Sequence, residues 1–133
     1  MAKLTVNVDG GARGNPGPAA IGVVVRDADG DLVEAVGETI GRATNNVAEY
    51  MALLRGVELA SAHGADELEL IGDSELVVRQ IEGRYKVKNA DMKKLHGRAV
   101  AALADFDRWS IRQVKRAQNA DADRLVNEAL DNA

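Results

Sequence analysis

Three apolar runs with strand character, residues 3–9, 20–27 and 32–38, precede the first segment with helical periodicity. In Lys3-Leu4-Thr5-Val6-Asn7-Val8-Asp9, polar and apolar residues alternate, as in a strand with one buried face. Ala20-Ile21-Gly22-Val23-Val24-Val25 is almost continuously apolar and fits a strand buried on both faces. Gly10 to Pro18, with four glycines and two prolines, reads as a loop between them. Asp27-Ala28-Asp29-Gly30-Asp31 reads as a hairpin turn, with Asp29-Gly30 as its tight-turn pair.

The period then changes. Val47, Met51, Leu54 and Val57 recur at helical spacing over 44–62, with Thr44 or Asn45 as cap and His63-Gly64 as stop. Residues 67–72 form a fourth strand, Ser74 to Ile81 a helix ended by Gly83, and 90–104 a helix with Met92, Leu95, Ala99 and Leu103 on one stripe. A fifth strand covers 108–114, where Trp109 and Ile111 are expected in the core, and a last helix covers 120–131. A three-strand meander followed by alternating helices and strands implies an α/β fold: a mixed sheet flanked by helices, in one domain over 1–133.

Four acids stand at informative places on this map. Asp9 and Asp73 close the first and fourth strands, on the side where ligand sites form in open α/β sheets. Glu49 and Asp123 lie at the heads of two helices. Each alone has an ordinary reading, since an acid near a helix start complements the dipole and a strand-end Asp often begins a turn. Together they would repel one another unless a cation neutralised them. Oxygen ligands with no convergent His, in a chain without cysteine, point to Mg²⁺, with Mn²⁺ as substitute.

The lack of cysteine leaves out disulfide, zinc-thiolate and thiol-nucleophile chemistry. No signal-like segment precedes the first strand and no apolar run approaches membrane-spanning length, so a soluble cytoplasmic protein without membrane contact is expected. The net charge of −4 is unevenly spread: residues 1–78 carry 5 basic and 13 acidic side chains, and residues 79–116 carry 11 and 4. Such asymmetry fits a basic surface for a polyanion beside an acidic metal site; a set of solvated helix faces is the alternative.

The motifs resemble type 1 ribonuclease H. They are Val8-Asp9-Gly10-Gly11 with Gly14-Asn15-Pro16-Gly17, then Thr44-Asn45-Asn46-Val47-Ala48-Glu49-Tyr50, then Gly72-Asp73-Ser74 with Val77-Val78, and last Asn119-Ala120-Asp121-Ala122-Asp123-Arg124-Leu125. They occur in the family's order over residues 8–125. The resemblance implies a ribonuclease H-like five-stranded mixed sheet in the order 3-2-1-4-5. It also implies an endoribonuclease that cuts the RNA strand of RNA–DNA hybrids with two Mg²⁺ ions, leaving 5′-phosphate and 3′-hydroxyl ends. Asp9 would bridge both ions, Asp123 would complete the nucleophile-side ion, and Glu49 and Asp73 would hold the ion on the leaving-group side. A junction or RNA-duplex nuclease on the same fold, and an inactive hybrid-binding module, are the alternatives. No obligate protein partner is expected, and a monomer is.

The same resemblance assigns substrate contacts. Asn45 and Asn46, which follow Thr44, would face the minor groove, where 2′-hydroxyls mark RNA. Gly10, Gly11, Asn15 and Ser74 match backbone- or hydroxyl-contacting positions, with the 10–17 glycines allowing close approach to the RNA. Arg42, Thr44 and Asn89 match a pocket for a DNA-strand phosphate; a solvated Arg and two helix caps are the ordinary reading.

Two features depart from the family pattern. Many members carry a His on the loop before the last acid, whereas this chain has Arg112-Gln113-Val114-Lys115-Arg116-Ala117-Gln118. Arg116 is the substitute by position; it is suited to phosphate contact but not to base catalysis. His63 and His96 read as surface or packing residues. The basic, Trp-rich handle of longer members is reduced to Gln80–Lys88, where Arg84, Lys86 and Lys88 keep charge and Tyr85 is a candidate for stacking. Weaker, more salt-sensitive hybrid binding is expected.

Overall fold

The computed structural model describes residues 2–133. The strands are β1 (Lys3–Ala12), β2 (Gly17–Arg26), β3 (Leu32–Ala43), β4 (Glu67–Gly72) and β5 (Arg108–Gln113). The helices are α1 (Asn45–Ala62), α2 (Glu75–Ile81), α3 (Ala90–Leu103) and α4 (Ala120–Asp131), with a single 3₁₀ turn over Arg116–Asn119. The sheet has the order β3-β2-β1-β4-β5. β1 pairs antiparallel with β2 and parallel with β4; β2 and β3 are antiparallel and β4 and β5 parallel. This is the expected mixed α/β sheet.

The meander is longer than the sequence suggests. Gly10, Gly11 and Ala12 are not loop residues: they continue β1, opposite Ile21, Ala20 and Ala19. β3 likewise runs on to Ala43, opposite Gly17. Only Arg13 to Pro16 join β1 to β2. The β2–β3 turn forms as expected: Gly30 takes φ +85°, and the Asp27 carboxylate accepts the amides of Asp29 and Asp31 at 2.9 and 3.0 Å.

Side-chain alternation divides the sheet into two faces. Leu4, Val6 and Val8 of β1 join Ile21, Val23 and Val25 of β2, Leu68 and Leu70 of β4, and α1, in the main core. Gly56 of α1 sits against Val6 and Val8 on this face. α3 packs on α1 with its stripe of Met92, Ala99 and Leu103 buried, as read from the sequence. On the other face α4 lies across β1, β2 and β3.

Polar side chains fix the helix ends. Thr44 caps α1 by accepting the Val47 amide at 3.2 Å, Ser74 caps α2 through Val77 at 3.3 Å, and Asn89 caps α3 through Met92 at 3.1 Å. His63 and Gly64, the latter at φ +76°, end α1. The buried Gln80 side chain ties the segment after α2 to the core: it accepts from the Tyr50 hydroxyl at 2.5 Å and donates to the Lys86 carbonyl at 3.0 Å.

Trp109 is not in the core. It is 38% exposed on the edge strand β5, while Ile111, two residues on, packs against the core. The alternation is right, but the helical layer does not cover the start of this edge strand.

Candidate active site

The site forms where the sheet forks. β1 and β4 pair in parallel from Lys3–Glu67 to Asn7–Ile71, and no further. β4 ends at Gly72, while β1 continues alone with β2, so Asp9 and Asp73 emerge beside the opening. Asp9 is only 6% exposed; its backbone is held opposite Gly22 of β2.

Two glycines let the helices close on this point. A Cβ on Gly10 would lie 2.2 Å from the Ala48 carbonyl oxygen, so β1 and the α1 backbone touch there. The contact puts Glu49 beside Asp9, and the Gly10 amide donates to Glu49 Oε1 at 3.3 Å. A Cβ on Gly22 would lie 2.2 Å from the Ala122 carbonyl oxygen, so α4 rests directly on β2 next to Asp9, with Asp123 the following residue. Glu49 is thus not at the head of α1: it is the fifth residue, past the first turn, where helix-dipole complementation does not account for it.

Carboxylate oxygens of Asp9, Glu49 and Asp73 lie within 4.8 Å of one another. Asp123 lines the same cavity, of about 380 Å³, together with Asn45, Arg116 and Asn127. Burial and the neighbouring Asp73 charge push the Asp9 carboxyl up. Burial and the Asp9 charge push Glu49 up strongly. Asp73 is raised chiefly by burial, with hydrogen bonding and the Arg116 charge opposing. The mutual repulsion of Asp9, Glu49 and Asp73, which Arg116 offsets only in part, is what a cation would relieve, and the donor set is entirely hard oxygen. The residues present therefore fit a divalent ion of the Mg²⁺ type.

Arg116 opens the 3₁₀ turn after β5, and its Nη2 donates to Asp123 Oδ1 at 3.1 Å. Its own side chain is 78% exposed, that of Asp123 27%. His63 pairs with Glu34 at 2.7 Å, and His96 lies 3.1 Å from the Gln80 carbonyl and edge-on to Tyr50; neither lines the acid cavity.

The expected substrate-binding residues are distributed around this centre. Gly10, Gly11 and Asn45 line the cavity. The side of Gly10 where a Cβ would stand packs on the α1 backbone. Asn45 Oδ1 accepts the Ala12 amide at 2.8 Å, and the Asn45 amide donates to Asn15 Oδ1 at 3.1 Å. These bonds tie the start of α1 to the β1–β2 connection. Asn46 is exposed in the first turn of α1, and Arg42 is exposed near the end of β3. Thr44, Ser74 and Asn89 serve as the caps described above.

The fourth motif opens on a residue whose part in the site only its contacts reveal. Asn119, 1% exposed, donates to the Val8 carbonyl at 2.8 Å and accepts from Asn7 Nδ2 at 3.0 Å. It also helps to oppose the upward shift of the Asp73 carboxyl. It fills the gap that β4 leaves beside β1. Its signal in the sequence is its place at the head of the fourth motif, four residues before Asp123.

Fold and site together define an α/β domain with acids gathered at the fork of a five-stranded mixed sheet, placed to hold a divalent cation. The sequence matches the Reverse transcriptase-like family over residues 7–129. It is 51% identical over 125 residues to Ribonuclease HI of Halobacterium salinarum, covering 94% of this chain and 63% of that protein. The crystal structure of RNase H1 from the same archaeon superposes with a TM-score of 0.96 at 49% identity, covering 98% and 99% of the two chains. LC11-RNase H1, solved in complex with an RNA/DNA hybrid, matches with a TM-score of 0.92 at 42% identity over 97% of each chain. The chain belongs to the type 1 ribonuclease H family. It spans 63% of the halobacterial protein and 36% of a bifunctional protein of Mycobacterium tuberculosis to which it is 49% identical.

Proposed function

We propose that this domain is an endoribonuclease that hydrolyses the RNA strand of RNA–DNA hybrids, leaving 5′-phosphate and 3′-hydroxyl ends. The observation that carries the reading is the convergence of Asp9, Glu49 and Asp73 within 4.8 Å, in a cavity that Asp123 also lines. The relatives named Ribonuclease HI and the LC11-RNase H1 hybrid complex support the substrate class.

Asp9, Glu49, Asp73 and Asp123 would hold two Mg²⁺ ions, with Mn²⁺ as substitute. When bound, such ions supply charge stabilisation for an in-line displacement at phosphorus. The protein holds the carboxylates in place through the Gly10 and Gly22 contacts and through Asn119, so their geometry is set before substrate arrives. Asn45 and Asn46, at the start of α1, face the minor groove, where the 2′-hydroxyl separates RNA from DNA. Gly11, Asn15 and Ser74 flank the scissile strand, while Arg42, Thr44 and Asn89 receive a phosphate of the DNA strand. Arg116 contacts a phosphate near the cut and holds no proton to exchange at neutral pH. Arg84, Lys86 and Lys88 add sequence-independent attraction. The domain acts as a monomer in the cytoplasm.

Labelled hybrid, RNA duplex and DNA duplex, incubated side by side with and without Mg²⁺, test the reading. Mg²⁺-dependent cuts confined to the RNA strand of the hybrid are expected. Equal cutting of RNA duplex would make it a broader nuclease, and hybrid binding without cleavage would make it a binding module.

A further inference from the structure

The four carboxylates do not share one electrostatic state. Among the described residues, Asp9, Glu49 and Asp73 have no basic partner within ion-pairing distance, whereas Asp123 has Arg116 at 3.1 Å. The other arginine nearby, Arg124, is engaged with Asp121 and Glu128. Three oxygens stand ready for one cation, while the fourth carboxylate already carries a cation from the protein itself. Among the described residues the Arg116 guanidinium is anchored at Asp123 and projects into solvent.

We propose that Arg116 shields Asp123 from divalent ions in the free protein, so that the first ion binds at Asp9, Glu49 and Asp73 and a second binds far more weakly. This rests on the metal-site reading above. The physical basis is competition. A second ion beside Asp123 must displace the guanidinium or sit within a few ångströms of it, and both cost affinity. A phosphodiester offers the guanidinium the same pair of oxygens that a carboxylate does, so it is the fitting replacement partner. Arg116 is a positioning residue in this role, acting on ion occupancy through Asp123.

Mn²⁺ titration of the full chain without nucleic acid, followed by electron paramagnetic resonance of free Mn²⁺, tests this directly. Wild type should take up one ion, with a second weaker by about tenfold or more. R116Q should tighten the second step by about tenfold and leave the first within about twofold. R116K, which keeps the charge, should fall between them. Raising the salt should narrow the gap between wild type and R116Q, because the ion pair is exposed. Second-step constants within about twofold for wild type and R116Q, or two equal ions on wild type, would overturn the role of Arg116. If wild type holds no Mn²⁺ at millimolar concentrations, or D9N binds it as wild type does, the metal reading fails and this inference fails with it.

Discussion

Asp9 and Asp73 stand level across the fork between β1 and β4. The parallel register that sets Asn7 against Ile71 runs on to these two carboxylates just where the strands stop pairing. Backbone that would otherwise have bonded strand to strand is met by the Asn119 side chain, which takes the Val8 carbonyl at 2.8 Å. The acids therefore face each other across a gap that the sheet itself creates, and their repulsion is built into the fold.

Asp9→Asn should abolish Mg²⁺-dependent cleavage of the hybrid while raising the melting temperature of the ion-free protein. Asp9 is nearly buried between Glu49 and Asp73, and the amide removes a charge without changing shape. Single-turnover cleavage and thermal unfolding in EDTA check the two halves. Retained turnover, or a lowered ion-free melting temperature, would contradict the placement of Asp9 at the centre of the repulsion.

Without divalent ions, stability should fall as pH rises. The Asp9 carboxyl is pushed up to about 7, chiefly by burial and Asp73, and Glu49 is raised more strongly, so the folded state binds more protons than the unfolded chain. The loss begins above the ordinary carboxylate range near 4 and continues through about 7 for Asp9, on the order of 2 kcal/mol or more from that group. Urea unfolding at pH 5, 6, 7 and 8 in EDTA should show it, and Mg²⁺ should flatten the slope by binding the ionised acids. A slope of the opposite sign at these pH values would show that the acids are not clustered.

Gly22→Ala should cost on the order of 1–3 kcal/mol of stability through overpacking. The new methyl would meet the Ala122 carbonyl at 2.2 Å and Leu125 at 3.1 Å, lifting α4 and with it Asp123. Activity should fall further than the loss of folded protein explains. Gly97→Ala is the control: nothing lies within 4 Å of its Cβ position on exposed α3, and alanine there should add about 0.5–1 kcal/mol. Urea titration and cleavage rates separate the two effects.

Sequence alone determined the order and type of the elements, because periodicity and turn chemistry are local. Asp29-Gly30, His63-Gly64 and the α3 stripe each fix their neighbourhood without help from the rest of the chain. It also singled out the four acids, since each stands at an element's end or on a helix with little local use for it. What the tertiary structure decided depends on distant partners. Gly10 to Ala12 have loop composition but become strand because Ala19 to Ile21 supply the ladder. Trp109 alternates like a core residue but stays 38% exposed at the start of the edge strand, while Ile111 packs against the core. Asn119 opens the last motif, but its structural part arises only when β1 comes to lie against the turn before α4. Arg116 reads from the sequence as a phosphate-contacting substitute for the missing His, and only packing shows that the Asp123 carboxylate holds it. Local patterns name what each segment can become, whereas contacts between residues far apart in the chain exist only once the sheet has set their separation.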